Sequence, residues 1–259
     1  MRSVWIAVWL WFFLAASPQI PKGPDLFPPD DCILLQKSGQ VTLRWRLPGK
    51  KFVVRFWQGE VLLSQVTTTE SQCPVSVEAG GEYLWTVKPL QAMRARTEMH
   101  YFSVDDDFAY HSDGRDGSFG QGGDNGGQLT ADLVRDQYGM NLYLSEKKKT
   151  LRYLWNEPGI VFTVTARGGN GGQGRSGGDF TSFVDGWPGG SAGWGGNIRI
   201  ITHTVPWREY LDVDLRPGKP GPGGQGGLYY DDEGDLCHGT PGAVGKAGQG
   251  GRVDTRLEP

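Results

Sequence analysis

Glycine recurs at every third position in five separate runs between residues 114 and 251. Only six of the 41 glycines precede residue 107, so two different kinds of sequence are joined in one chain. A period of three matches the polyproline II helix, which has three residues per turn and rises about 3.1 Å per residue. Glycine at each third position leaves one side of such a helix bare, so neighbouring backbones can approach and bond across the gap. The pattern therefore predicts a bundle of closely packed extended arms.

We assign a structural role to the glycines that keep this period. They are Gly114, Gly117, Gly120, Gly123, Gly126, Gly168, Gly171, Gly174, Gly177, Gly218, Gly221, Gly224, Gly227, Gly239, Gly242, Gly245, Gly248 and Gly251. Gly186 and Gly189 begin a third run, which Gly190, Gly193 and Gly196 continue one residue later.

Collagen and a flexible linker are the alternatives to a folded bundle. Collagen needs long uninterrupted triplets rich in proline, whereas each run here holds four or five triplets with mostly polar or small residues between the glycines. A flexible glycine-rich linker has neither strict register nor apolar strands between its runs. Such strands are predicted here, at 128–134, 150–155, 160–166, 197–204, 210–216 and 252–257.

The triplet layout over residues 113–251 resembles polyglycine II proteins, such as the adhesins at phage tail-fibre tips and the antifreeze proteins of springtails. The resemblance concerns the type of backbone and implies no ligand. The chain differs from the phage proteins because it begins with an export signal. It differs from the antifreeze proteins because residues such as Arg115 and Phe119 interrupt the flat array of small side chains that ice binding requires.

The first residues predict export. Arg2 precedes a thirteen-residue apolar run, Val4–Ala16, which is shorter than the roughly 20 residues of a membrane-spanning helix. We therefore expect a signal peptide at 1–17, followed by a proline-rich linker at 18–31, and no membrane span in the mature chain. The expected location is extracellular or at the cell surface, with the periplasm as an alternative.

Short alternating segments follow at 32–105 and predict a small β-sandwich. The pairs Leu43 and Trp45, and later Tyr83 and Trp85, lie on alternating strand positions, where aromatic side chains usually pack in the core. This pattern resembles a fibronectin type III-like domain, which implies a role as spacer or docking module. The predicted fold class is therefore all-β: a small sandwich, then a glycine-rich module at 106–259 whose arms are capped by β-sheet.

The three cysteines permit two interpretations. In an exported chain, Cys32 and Cys73 can form a disulfide that leaves Cys237 free, or all three can be unpaired thiols. None has the spacing of a zinc site.

Three segments are predicted to meet at the arm tips, 107–113, 179–187 and 228–238, because the predicted strands all lie at the opposite end. Each mixes aromatic residues with carboxylates and contains no lysine or arginine. Aromatic rings stack on sugars and carboxylates accept their hydroxyl hydrogen bonds, so the tips are candidates for glycan binding. The candidate stacking residues are Phe108, Tyr110, Phe180, Phe183, Trp187, Tyr229 and Tyr230, and the candidate acceptors are Asp113, Asp185, Asp231 and Asp232. The alternative is that the aromatic residues pack on each other and close the bundle.

Neither enzyme nor nucleic-acid chemistry is indicated. A net charge of −3 excludes a broadly basic nucleic-acid binder. The GxGxxG match at 172–177 is a by-product of the triplets, since no helical pattern follows it. No cofactor is predicted, although clustered tip oxygens are suited to Ca²⁺. The predicted function is binding or adhesion to a surface glycan or protein; self-association as a structural component, and a hydrolase using Asp185 and Asp231, stay open.

Overall fold

The computed structural model describes residues 26–36, 39–91, 99–203 and 205–258. The predicted signal peptide at 1–17 and most of the predicted linker lie outside these residues. The described end of that linker is a strand and not a spacer, because Leu26 and Phe27 pair with Trp45 and Arg44 and pack against the first hydrophobic core. No helix among the described residues is long and apolar enough to cross a membrane.

The described chain is almost entirely β, which confirms the predicted fold class. The alternating segments of the first part form eight strands: β1 (Leu26–Phe27), β2 (Cys32–Leu35), β3 (Gln40–Trp45), β4 (Phe52–Gln58), β5 (Val61–Thr68), β6 (Gln72–Ser76), β7 (Glu82–Pro89) and β8 (His100–Asp105). A three-stranded sheet, β1-β3-β6, faces the run β5-β4-β7-β8-β2 of a larger sheet. Trp45 and Trp85 are 2% and 0% exposed between them, so their predicted place in the core is confirmed.

The second part contains ten further strands and one short 3₁₀ helix at Trp207–Glu209. The strands are β9 (Ala109–His111), β10 (Gln128–Asp136), β11 (Gly139–Glu146), β12 (Lys149–Trp155), β13 (Phe162–Thr165), β14 (Asn197–Thr202), β15 (Leu211–Asp214), β16 (Leu228–Tyr230), β17 (Leu236–His238) and β18 (Arg252–Leu257). The parallel sheet β15-β13-β9 packs against strands β14-β10-β11-β12 of the larger sheet. A second core, which includes Leu133, Phe162 and Ile200, lies between these layers.

One ten-stranded sheet passes through both parts, in the order β18-β14-β10-β11-β12-β2-β8-β7-β4-β5. The two parts meet where β12 pairs with β2, with Tyr153 opposite Ile33 and Leu154 opposite Leu34. The side chain of Leu154 packs in the first core, while Leu35 packs in the second. The division into domains at residue 105 stays a prediction, since the sheet is continuous across it.

The glycine runs lie outside the strands and form six arms in three hairpins. We number them arm 1 (112–119), arm 2 (121–127), arm 3 (166–178), arm 4 (184–196), arm 5 (215–227) and arm 6 (239–251). Arms 1, 3 and 5 continue the strands of the β15-β13-β9 sheet, and arms 2, 4 and 6 lead into β10, β14 and β18. The two strand layers of the base thus extend into two layers of arms.

Backbone hydrogen bonds join the arms at every third residue. Gly114 and Gly117 of arm 1, and Gly120 directly after it, donate to three carbonyls of arm 3 at distances of 2.7–2.8 Å. Bonds of the same kind run from arm 3 to arm 5 and from arm 4 to arm 6, and antiparallel bonds connect the two layers. The interior of the bundle is therefore held by backbone groups rather than by side chains.

The first run differs from the prediction, because it folds back on itself. Gly120 has a φ of 69°, a left-handed value that favours glycine, and Gln121 N–H bonds to Ser118 O across the turn. A Cβ on Gly120 would meet nothing closer than 3.5 Å, so this glycine serves the turn and not the packing. The result is a hairpin shorter than the other two, and six arms where five were predicted.

Inner arms carry glycine on two of their three sides. A Cβ on Gly168 or Gly171 would collide with arm 4, and one on Gly169 or Gly172 would collide with arm 1. This explains the glycine pairs Gly168-Gly169 and Gly171-Gly172, of which the period of three includes only the first glycine. A three-residue turn has three sides, and an arm with neighbours on two of them needs two glycines per turn.

The third side of each arm faces outward, and its carboxylate and amide oxygens cap the next arm. Asp116 Oδ1 accepts the Asn170 N–H at 2.6 Å, and Asn170 Oδ1 accepts the Lys219 N–H at 2.8 Å. On the other layer, Asn125 accepts the Trp194 N–H at 2.9 Å. These side chains accept hydrogen bonds from backbone N–H groups on the outer sides of the arms, which would otherwise have no partner in the bundle.

Candidate functional site

The first predicted tip segment lies at the base of the bundle and not at the tips, which corrects the predicted placement of Phe108, Tyr110 and Asp113. Residues 109–111 form β9, which pairs with β13, and Phe108 and Tyr110 pack against the second core. The reason is the fold-back at Gly120, which makes this run start and end at the base.

The polar side chains of this segment form hydrogen bonds with other parts of the protein. Tyr110 Oη donates to Glu146 Oε2 at 2.8 Å; burial first, and then this bond, raise the pKa of Tyr110 to about 12. Asp113 accepts the Arg167 N–H at 2.7 Å and its guanidinium at 2.9 Å. Burial acts to raise the pKa of Asp113, but these hydrogen bonds outweigh it and hold the pKa below its ordinary value.

The second tip, at 178–184, is closed by local hydrogen bonds. Gly178 N–H bonds to Phe183 O at 2.9 Å, and Thr181 Oγ1 donates to Gly178 O at 3.0 Å. Phe180 has a φ of 54°, and the residue is 59% exposed. The loop therefore presents aromatic side chains from a fixed backbone.

The third tip is the β16–β17 hairpin, and Asp231 holds its turn. Asp231 Oδ1 accepts the Glu233 N–H at 3.1 Å and the Asp235 N–H at 2.8 Å. Asp232 is exposed at the same turn. One candidate acceptor is thus engaged in shaping the loop, while its neighbour faces solvent.

The second and third tips are joined to each other. The rings of Phe180 and Tyr230 stack with centroids 5.3 Å apart, and Phe180 N–H bonds to Leu228 O at 2.6 Å. Asp179 Oδ1 accepts the Leu228 N–H at 2.8 Å. Tyr229 is half-buried beside this pair. The aromatic residues thus pack on each other in part, as the alternative interpretation expected, yet Tyr230 stays 62% exposed.

A shallow groove of about 340 Å³ runs along the start of arm 4 and is lined by residues 182–188. Phe183 and Trp187, which are 70% and 55% exposed, are its aromatic members. Asp185 also lines it, but Asp185 Oδ1 accepts the Thr240 N–H at 2.6 Å. The groove therefore combines two open rings with one carboxylate that is already hydrogen-bonded.

Phe119 and Arg175, which the sequence analysis did not count among the candidate site residues, lie at the turn that ends the short first hairpin. The Arg175 guanidinium lies over the Phe119 ring at 5.9 Å, and Arg175 O accepts the Trp187 N–H at 2.8 Å. Arg175 lies three residues after Gly172 on the same side of arm 3, and Trp187 lies three residues before Gly190 on the same side of arm 4. The glycines on these two sides contact arms 1 and 2. A large residue at a position where the period of three would place glycine indicates that no neighbouring arm lies there. This was the sequence signal that the first hairpin is shorter than the others.

The two joined tips are negatively charged. Asp179, Asp185, Asp231, Asp232, Glu233 and Asp235 lie in the segments 179–187 and 228–238, which contain no lysine or arginine. Even so, in the part of the chain that the structure describes, no three carboxylate, thiol or imidazole groups converge as a metal site would require. Ca²⁺ binding at the tips stays a prediction.

All three cysteines are free thiols in the structure, which agrees with the second of the two interpretations that the sequence left open. Cys32 and Cys73 are both buried in the first core, on strands of opposite sheets. Cys237 is half-buried in the third tip, with its thiol 3.5 Å from Asp231 Oδ2.

Comparisons with known proteins add little to this geometry. No family model matches the chain, and no curated protein matches it. Among solved structures, the extracellular domains 3–5 of Drosophila OTK are similar at 10% identity and a TM-score of 0.21, covering 52% of this chain and 68% of that one. A similarity at that level supports no argument about function, so the site has to be interpreted from its own chemistry.

Proposed function

We propose that this chain is an exported binding protein, located outside the cell or at its surface, that attaches to a glycan or a surface partner through the ends of its second and third hairpins. In this proposal the sandwich is a fibronectin type III-like spacer, and the arms are a polyglycine II bundle that holds the tips away from the base.

The exposed aromatic residues at one end of the bundle are the observation that carries this proposal. Phe180, Phe183, Trp187 and Tyr230 are each more than half exposed and lie on two adjoining loops. Large aromatic side chains normally find cover in a folded protein, and clusters that stay open usually mark binding surfaces. Rings of this kind stack on the apolar faces of sugars.

The arms support the polyglycine II assignment through the spacing of their bonds. Hydrogen bonds recur at steps of three residues between parallel and antiparallel neighbours alike. A three-residue turn is the repeat of that helix, and strands of a β-sheet repeat every two residues. The export assignment depends on the apolar run at residues 4–16.

We propose binding rather than catalysis. The two carboxylates of the hydrolase alternative both shape the backbone: Asp185 Oδ1 accepts the Thr240 N–H, and Asp231 Oδ1 accepts two N–H groups of its own turn. These bonds give both residues a structural role that requires no catalysis.

A glycan array tests the proposal with the whole chain and matched tryptophan variants. We expect Trp187→Ala to lose most of the retained signal, since stacking of one ring contributes about 1 kcal/mol or more. Trp194→Ala is the control, because Trp194 is 53% exposed on the same arm but seven residues closer to the base. Equal binding by both variants, or no glycan or cell-surface binding by the wild type, would contradict tip binding.

Self-association is a second candidate function, favoured by strand β5. This strand lies at one edge of the ten-stranded sheet, is exposed along most of its length and contains no charged residue. Edge strands usually carry charges or prolines that prevent pairing with another chain. Sedimentation of wild type and Leu62→Lys tests this: a wild-type dimer that the variant abolishes supports it, and two monomers refute it.

A further inference from the structure

We propose a second binding site, distant from the tips, for an acidic sugar residue or a ligand of equivalent chemistry: an oxyanion group on a small ring. The site is a cleft of about 250 Å³ between the first sandwich and the β10–β11 turn, which we call the junction cleft. This inference does not depend on the proposed function of the tips.

Two arginines give the junction cleft its charge. Arg44 lies near the end of β3, flanked by Phe27 on β1 and Gln72 on β6, and Arg46 follows one residue beyond the strand. Both line the cleft, and neither forms an ion pair with another described residue. Two guanidinium groups without a carboxylate leave a net positive charge in the recess, which favours an anion.

Among the described residues, no carboxylate lines the junction cleft. The nearest in sequence on the β10–β11 turn is Asp136, and its Oδ1 accepts the N–H groups of Tyr138 at 2.7 Å and Gly139 at 3.2 Å. Other polar groups of the lining include the hydroxyl of Ser71 and the amides of Gln72 and Gln137. The cleft therefore offers hydrogen-bond donors to an anion from several directions.

An aromatic wall stands beside this charge. The rings of Phe27 and Tyr138 stack with centroids 5.4 Å apart, and the Arg44 guanidinium lies 5.9 Å from the centre of the Phe27 ring. A flat apolar wall next to a forked cation suits a ring that carries a carboxylate or sulfate, because the guanidinium binds such groups with two parallel bonds. The volume fits one such ring.

Trp45 forms part of the same lining, so the signal of its indole N–H can show whether a ligand is bound in the junction cleft. Its Nε1 is buried and has no hydrogen-bond partner among the described residues, although buried indole N–H groups usually have one. An oxyanion held by Arg44 and Arg46 would change the field at this N–H. The Trp45 Nε1–H resonance is therefore the signal to follow.

The experiment titrates the full chain, labelled with ¹⁵N-tryptophan, with glucuronate, glucose 6-sulfate, glucose and inorganic sulfate. The Trp45 signal is assigned by its loss in Trp45→Phe. We expect a saturable shift of this signal with glucuronate or glucose 6-sulfate, about tenfold weaker binding of glucose, and similar weakening of the acidic sugar in Arg44→Gln. Whichever acidic sugar binds more tightly identifies the carboxylate or the sulfate as the natural group.

Matched variants keep the result interpretable. Arg55→Gln removes the same charge from β4 of the opposite sheet, where Arg55 bonds to Gln65, and we expect it to bind like wild type. Arg46→Gln replaces Arg44→Gln if the latter does not fold. The proposal is overturned if neither acidic sugar gives saturation up to about 50 mM, if inorganic sulfate binds as tightly as both, or if Arg55→Gln weakens binding as much as the cleft variants.

Discussion

Replacing Gly171 with alanine tests whether bare backbones hold the bundle together. A Cβ at this position would overlap the carbonyl oxygen of Gly190 and lie 2.6 Å from its carbonyl carbon and 2.8 Å from Gly221 N. These atoms belong to the hydrogen bond from Gly221 N–H to Gly190 O, whose present length is 2.9 Å. The added methyl group would therefore lie where a hydrogen bond now joins arm 4 to arm 5.

The cost follows from how far the arms must move. Carbon atoms rest about 3.5–4.0 Å apart, so the arms would separate by about 1 Å at this level. Such a shift breaks or weakens two or three backbone bonds, each contributing about 1 kcal/mol net and more when a buried group stays unpaired. We expect a loss of about 3–5 kcal/mol in the free energy of unfolding, which corresponds to a fall in Tm of roughly 10 °C for a chain of this size.

Calorimetry on Gly171→Ala and Gly250→Ala measures this cost. Gly250 is a matched control, since its Cβ would meet only Leu215 O at 4.0 Å and its backbone is not in the left-handed region. We expect Gly250→Ala to change stability by less than about 1 kcal/mol, with the sign of a small gain from lower chain entropy in the unfolded state. If the two variants melt together, the arms are not in contact as described and the argument fails.

Two further predictions concern titratable groups. Cys32 and Cys73 are buried, and burial raises the pKa of the Cys32 thiol to about 12 and that of Cys73 above its ordinary value. Desolvation and the neighbouring Asp231 also raise the pKa of Cys237, but this residue is only half-buried and a reagent can reach it. At about pH 8 a thiol reagent should therefore modify Cys237 well before the other two in the native chain, and all three cysteines in urea; a single reactive thiol in urea would instead indicate a disulfide. The pKa of Asp113 is lowered in the folded state, so its contribution to stability is complete above the ordinary value of about 3.9 and is lost as pH falls through the folded value. We expect Asp113→Asn to cost less than about 1 kcal/mol at pH 7, because the pair is partly exposed, and to flatten the fall in urea midpoint between about pH 4 and pH 2; an unchanged slope would contradict this.

The triplet glycines made the arms and their common base predictable, because close approach of two backbones leaves no alternative residue at the contact. The same logic failed at Gly120, since a glycine that permits a turn and a glycine that permits packing look alike in a periodic run. That ambiguity misplaced Phe108, Tyr110 and Asp113 at the tips.

Long-range pairing was the other feature that the sequence did not specify. Nothing in the alternation of β2 or β12 indicates that Ile33 lies opposite Tyr153, because apolar strands pair through backbone groups that all residues share. The junction cleft went unnoticed for the same reason. Arg44 and Tyr138 are far apart in sequence, and only the folded sheets place them on one recess.

The outward side of the arms has a consequence for how such a protein can change. Asp116, Asn170 and Lys219 lie side by side across one layer, and along each arm the next outward residue follows about 9 Å farther on. Most inward positions have no room for a side chain, whereas an outward position accepts any side chain that does not remove a cap such as the bond between Asp116 and Asn170. The bundle thus separates the residues that build it from the residues that meet the surroundings. The outward residues, one per turn of each arm, can therefore change the binding surface while the glycines that hold the arms together stay the same.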